Sequence, residues 1–150
     1  MVFACLCRRA TKLAAAAFLR VLIKTVPYRI HTILTDNGVQ FVQRDQGGPL
    51  GWIGHIFGRV CEANGIEHRL TRVKHPWTNG QVERMNRTIK EATVKRYHYD
   101  SPAQLTAHLH DFIDAYNYGR RLKTLRGLTP YEYICKCWTT EPARFNLNPH

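Results

Sequence analysis

Short apolar runs alternate along this chain with longer stretches in which apolar residues recur every three or four positions, the rhythm of strands set between helices. Residues 2–7 (VFACLC) form a continuous apolar run suited to a buried strand. From Thr11 to about Val26, an Ala- and Leu-rich stretch predicts a helix ended by Pro27. Ile30 to Thr35 (IHTILT) predicts a second strand, running directly into the turn signal Asp36-Asn37-Gly38. Beyond a Gly-rich loop around Gly47-Gly48-Pro49, the spacing of Ile53, Phe57 and Val60/Cys61 predicts a helix over about 53–63, with Gly65 suited to its C-terminal cap. Ile66 to Val73 (IEHRLTRV) alternates as a third strand, with Ile66, His68 and Leu70 on one side.

The rest of the chain reads as helical. A polar loop, His75-Pro76-Trp77, precedes Thr78-Asn79-Gly80-Gln81, where Thr followed three residues later by Gln is a capping box that opens a helix to about Tyr97. At about 100° per residue, Val82, Met85, Ile89 and Ala92 of this helix should face the core. Ser101-Pro102-Ala103-Gln104 repeats the start signal, and Leu105, Leu109, Phe112, Ile113 and Tyr116 make one stripe of a helix ending near Gly119. Arg120 to Arg126 (RRLKTLR) reads as a basic linker, and Thr129-Pro130-Tyr131-Glu132 opens a last helix through about Trp138. Strands alternating with helices make the chain α/β.

Composition narrows the function classes. At 150 residues the length is that of one domain, large enough to fold without a metal or disulfide. The content is ordinary for a globular protein, 44% hydrophobic and 22% charged, which excludes a disordered tail, a collagen-like chain and a disulfide miniprotein. The net charge of +11 favours a polyanionic partner. Of the 11 acids, none precedes Asp36, although Arg8, Arg9, Lys12, Arg20, Lys24 and Arg29 do. The apolar run Leu13 to Leu19 is too short to span a bilayer, so no membrane partner is expected. Cys5/Cys7 and Cys135/Cys137 are C-x-C pairs without tetrahedral zinc spacing and read as reduced structural cysteines of a cytoplasmic protein.

Two acids stand out as candidates for chemistry. Asp36 lies where an apolar strand ends in a Gly-containing turn, at the strand's carboxyl edge, and Glu83 lies in the first turn of the capped helix. Glu83 falls beside the apolar stripe, with Asn86, Arg87 and Lys90 on the same flank. A carboxylate beside cationic groups suits a hard cation such as Mg²⁺ together with phosphate oxygens. Each acid also has an ordinary explanation, since Asp is a common turn former and an acid near a helix start is favoured by the helix dipole. The basic flank can equally be a solvated face.

The strings TDNG-VQF at 35–41, NGIEHRLTRVKHPWTNGQVERMNRTIK at 64–90 and YNYGRRLKTLRGLTPYEYICKCW at 116–138 resemble the integrase-core transposases of bacterial insertion sequences, relatives of retroviral integrases in the DDE, ribonuclease H-like superfamily. The resemblance runs from about Phe3 to Trp138. It implies DNA strand transfer: hydrolysis at transposon ends, then attack of the freed 3′-hydroxyl on target DNA, using three carboxylates and two Mg²⁺ (or Mn²⁺) ions. Asp36 matches the second acid of the triad and Glu83 the third, 47 residues later. Asn86, Arg87 and Lys90 match the family's DNA-contacting helix. Lys74, His75 and Asn79, in the loop before it, become further DNA-binding candidates, while Trp77 can equally be a packing residue. The expected location is cytoplasmic, on the bacterial nucleoid, and the expected partners are DNA and further copies of the protein or a full-length transposase.

The departure from the family lies at the amino end. The first triad Asp belongs to the first strand of a sheet ordered 3-2-1-4-5, and VFACLC, IHTILT and IEHRLTRV would be strands 3, 4 and 5. The expectation is therefore an incomplete ribonuclease H-like fold lacking strands 1 and 2. Residues 1–118 would be a partial catalytic core, and 119–150 a basic linker and helical tail. Such a chain would be a truncated transposase or mis-started product, binding metal weakly and inactive alone. The alternative is a non-catalytic DNA-binding or regulatory module, and a ribonuclease H acting on hybrids fits the motifs less well.

Overall fold

A computed structural model describes residues 1–42, 55–71 and 80–150. The Gly-rich loop at 47–49, Ile53, Lys74, His75, Trp77, Thr78 and Asn79 lie outside the described residues. Contacts gather into two compact units. One comprises Cys7–Val26 and Ile30–Val82; the other comprises Met1–Leu6, Pro27–Arg29 and Glu83–His150.

The first unit is built on helix α1 (Lys12–Thr25), strand β1 (Thr32–Thr35), helix α2 (Ile56–Ala63) and strand β2 (Glu67–Leu70). Thr11 caps α1, its hydroxyl accepting the Ala14 N–H at 3.1 Å. Ala16 and Leu19 of α1 pack on Phe57, Val60 and Cys61 of α2 and on Ile66, forming the unit's core, with Ile33 and Phe41 against it. The end of α2 follows from Gly65. At φ +63° it lets the Gly65 and Ile66 N–H groups turn back to the Glu62 and Cys61 carbonyls at 3.1 and 2.9 Å. That is a Schellman closure, with Ile66 and Cys61 in apolar contact across it. The chain then enters β2, which pairs in parallel with β1, Thr32 opposite Glu67 and Thr35 opposite Leu70. Adjacency of these two strands is what the strand 4 and strand 5 assignment requires.

The second unit is helical: α4 (Pro102–Asp114), a π-helical turn (Ala115–Gly119) and α5 (Pro130–Thr140), with most of α3 (Gly80–Ala92). Leu109, Ile113 and Ile134 are buried, and Leu105, Phe112 and Tyr116 are half-buried, as the sequence stripe requires. Thr129 and Glu132 make a full capping box at the start of α5, which runs to Thr140 rather than Trp138.

Several expectations need correction. VFACLC forms no strand, and at its start both backbone groups of Val2 are taken by one side chain. The Val2 N–H donates to Asn117 Oδ1 and the Asn117 amide donates to the Val2 carbonyl, each at 2.7 Å. Strand β1 begins at Thr32 rather than Ile30, and Leu70 is 41% exposed despite sharing a strand face with His68. Helix α3 stops at Ala92, not Tyr97. There the Thr93 hydroxyl takes the Ile89 carbonyl at 2.7 Å and the Lys95 N–H reaches back to Lys90, which breaks the α-helical ladder. Val82 is 56% exposed, while Met85, Ile89 and Ala92 are half-buried, so the α3 stripe is thinner than its periodicity suggests. Ser101 caps α4, but Gln104 reaches one residue further, to the Asp100 N–H, so that box is not reciprocal. The basic stretch 120–126, read as a linker, folds into a compact turn. Among the described residues, no helix is long and apolar enough to cross a membrane.

Candidate active site

Asp36 immediately follows the last residue of β1, and its neighbours tie that strand end to β2. The Thr35 carbonyl accepts the Thr71 N–H at 2.8 Å, extending the parallel ladder by one rung. Thr35 and His68 share a face of the sheet, and their Oγ1 and Nε2 atoms are hydrogen-bonded at 2.8 Å. The Asn37 amide donates to the Thr71 carbonyl at 2.9 Å. Asp36 itself is exposed, and its Oδ1 accepts the Gly38 N–H at 2.8 Å, the Asx turn that the Asp-Asn-Gly signal predicts. One carboxylate oxygen is thus used to shape the turn, and the second carries no hydrogen bond among the described residues.

His68 and Thr35 were not singled out by the sequence. The available signal was a histidine alternating with Ile66 on the inward side of a strand, where a polar group needs a partner. The His68 ring also packs on Phe57, centroids 5.0 Å apart, and Phe57 meets Phe41 edge-on at the same distance. Burial holds the His68 imidazole below its ordinary value, with a smaller repulsion from His55 acting the same way. His55, whose Nδ1 caps α2 by accepting the Phe57 N–H at 3.2 Å, is also lowered, again chiefly by burial.

Both imidazoles therefore bind protons less readily in the folded chain than in the unfolded one. Their contribution to stability is full above the ordinary value of 6.5 and is lost as pH falls below it. The urea midpoint should drop between about pH 7.5 and about pH 5.5, and His68→Gln, which keeps a neutral hydrogen-bonding group, should flatten that drop. Equal midpoints at the two pH values would show that burial does not bias these histidines. Glu67, lowered by its hydrogen bond with Arg69, acts in a separate window below its ordinary 4.5.

Glu83 sits in the first turn of α3, exposed and without an ion pair among the described residues. Asn86, Arg87 and Lys90 are exposed on the same helix, as the flank reading requires. Asp36 belongs to one compact unit and Glu83 to the other, so each acid is characterised within its own unit. Lys74, His75 and Asn79 fall outside the described residues. Among those described, no three His, Cys, Asp or Glu side chains gather as a metal cluster. The donor chemistry suits a hard divalent cation, since among the described residues one Asp36 oxygen has no hydrogen bond and Glu83 no ion pair, and one or two carboxylates suffice for Mg²⁺.

The catalytic core domain of BIV integrase superposes on 95% of the chain and on 82% of that domain, with a TM-score of 0.68 and 23% identity. The chain has the fold of an integrase catalytic core. Residues 64–130, which include Glu83, Asn86, Arg87 and Lys90, match the family described as integrase core domain. Similar sequences include viral and animal proteins. The Pol polyprotein of Radiation murine leukemia virus is 33% identical over 67% of the chain, and the Gag-Pol polyprotein of Avian reticuloendotheliosis virus is 33% identical over 47%. An uncharacterised protein of Caenorhabditis elegans is 34% identical over 43% of the chain. The chain spans 15%, 6% and 4% of the lengths of these three relatives.

Proposed function

We propose that this chain is the catalytic-core portion of an integrase-type polynucleotidyl transferase acting on DNA, from the insertion-sequence transposase branch. The observation that carries the reading is an aspartate held at the carboxyl end of β1 by the flanking bonds to β2, within an integrase-core fold. The branch assignment rests on the contiguous string HPWTNGQVERMNRTIK.

Asp36 and Glu83 are the residues assigned to hold Mg²⁺ or Mn²⁺. When bound, such ions activate the attacking oxygen and stabilise the leaving one in an in-line displacement. The chain's own contributions are positional. The Asx turn and the Thr35–His68 bond restrict where the Asp36 carboxylate lies, so less order must be imposed when phosphate arrives. Asn86, Arg87 and Lys90 are assigned to the DNA backbone, with Lys74, His75 and Asn79 as further contacts. Residues 1–118 are read as core and 119–150 as the transposase tail, working in a multimer on transposon ends and target DNA.

No acid precedes Asp36 in this sequence, so the 150-residue chain by itself does not complete a three-carboxylate set. Incubated with Mn²⁺ and candidate transposon ends, it should yield no strand-transfer product; robust product formation would sink the inactive reading. Glu83→Ala separates the alternative of a non-catalytic DNA-binding module. Unchanged DNA affinity is expected in either case, whereas loss of a metal-dependent cleavage would reveal retained catalysis.

A further inference from the structure

We infer that the turn at residues 120–127 is a second docking surface for the DNA phosphate backbone, separate from the flank of α3. The inference rests on the DNA-binding reading above and adds a site to it.

Four cations, Arg120, Arg121, Lys123 and Arg126, occur with no acid between Asp114 and Glu132. A charge run of this kind is ordinarily a mobile, solvated segment. Here its backbone is closed on itself. The Leu122 N–H donates to the Leu128 carbonyl at 3.1 Å and the Gly127 N–H to the Leu122 carbonyl at 3.0 Å. Lys123–Leu125 forms a single 3-10 turn, and the Arg126 N–H returns to the Lys123 carbonyl at 3.0 Å. Leu122, Leu125 and Leu128 are half-buried, which leaves Lys123, Thr124 and Arg126 outward and exposed.

The cations divide by role. Arg121 spans the base of the turn, donating to the Gly127 carbonyl at 3.0 Å and pairing with Glu132 at 3.6 Å. Glu132 also accepts the Thr129 N–H in the α5 capping box, so the nearest acid is already engaged. Arg120 lies over the Tyr116 ring at 5.4 Å, which leaves its guanidinium edge free for an anion. Lys123 and Arg126 have no ion pair among the described residues. Arg126 adopts φ +58°, a left-handed conformation that Gly or Asn would enter more cheaply. A non-glycine residue kept there at a cost points to a use for its side chain.

The surface presents exposed cations on a closed backbone turn, with no acid between Asp114 and Glu132 to oppose a phosphate. That chemistry fits phosphates along a duplex, binding without sequence preference. Because the turn is ordered before contact, little entropy is lost on docking.

The test is fluorescence anisotropy of the 150-residue chain with a labelled mixed-sequence duplex, titrated over a series of KCl concentrations. Lys123→Ala and Arg126→Gly should each weaken binding several-fold and reduce the slope of log K against log salt by about 1. Glycine accepts the left-handed conformation, so Arg126→Gly removes charge without disturbing the turn. Arg126→Lys should restore most of the affinity. Arg87→Ala on α3 should weaken binding independently of these changes. If the turn variants keep wild-type affinity and slope while Arg87→Ala weakens binding, the second surface is wrong and the DNA reading stands. If the wild-type chain shows no salt-dependent binding, both readings fail. Displacement of the duplex by polyglutamate as readily as by unlabelled duplex would overturn the assignment to DNA.

Discussion

Phe57→Ala should lower the stability of the α1–α2–β1–β2 unit by about 3–5 kcal/mol, the usual cost of emptying an aromatic site in a core. Phe57 is 3% exposed and packs in the cluster formed by Leu19, Val60, Cys61 and Ile66. Where in that range the loss falls depends on how far Leu19, Val60 and Ile66 close over the cavity. Since a whole domain is commonly stable by about 5–15 kcal/mol, the variant should be marginal at room temperature. The effect reaches the site as well. Phe57 supports both the His68 ring, which holds Thr35, and Phe41, which follows the Asp36 turn. Urea denaturation followed by circular dichroism measures the loss, and amide exchange at Gly38 reports the turn. A loss under about 1 kcal/mol would mean that Phe57 is not the centre of this core.

The second large effect is expected at Asn117. Asn117 is 3% exposed, and its side chain serves as both donor and acceptor to the backbone of Val2. Asn117→Ala leaves the Val2 N–H and carbonyl without these partners and opens a small void. A cost of about 2–3 kcal/mol is expected, since leaving one buried polar group unsatisfied costs about 1–3 kcal/mol and water can reach part of this site. Asn117→Leu restores the volume but not the bonds, and should recover little. Full recovery by leucine would assign the role of Asn117 to packing alone.

Features that depend on a few neighbouring residues could be read from the sequence. Thr11, Ser101 and Thr129 cap the helices they were expected to open, and Asp-Asn-Gly makes the turn it signals. Features that depend on distant partners could not. VFACLC has the composition of a strand, but composition did not show that Asn117, far along the chain, takes the backbone groups of Val2. The bond between Thr35 and His68 exists only once β1 and β2 are paired in their register, between residues 33 positions apart in sequence. The turn at 120–127 was half visible: Leu122, Leu125 and Leu128 recur every three residues, a spacing that a charge-dominated reading passes over. That Glu83, Asn86, Arg87 and Lys90 lie on one helix was legible because helical periodicity is a local signal. The supporting shell of Asp36 was not.

The π-helical turn at Ala115–Gly119 bears on which changes of chain length this fold can absorb. Its Arg120 N–H reaches back five residues to the Ala115 carbonyl, so it holds one residue more than an α-helical turn would. Losing one of these residues, Asn117 excepted, would let α4 continue at ordinary pitch into the basic turn with α5 left in place. The same loss inside α4 would swing Leu109 or Ile113 out of the core by about 100°. The fold thus stores a spare residue beside a side chain whose bonds hold Val2 in place.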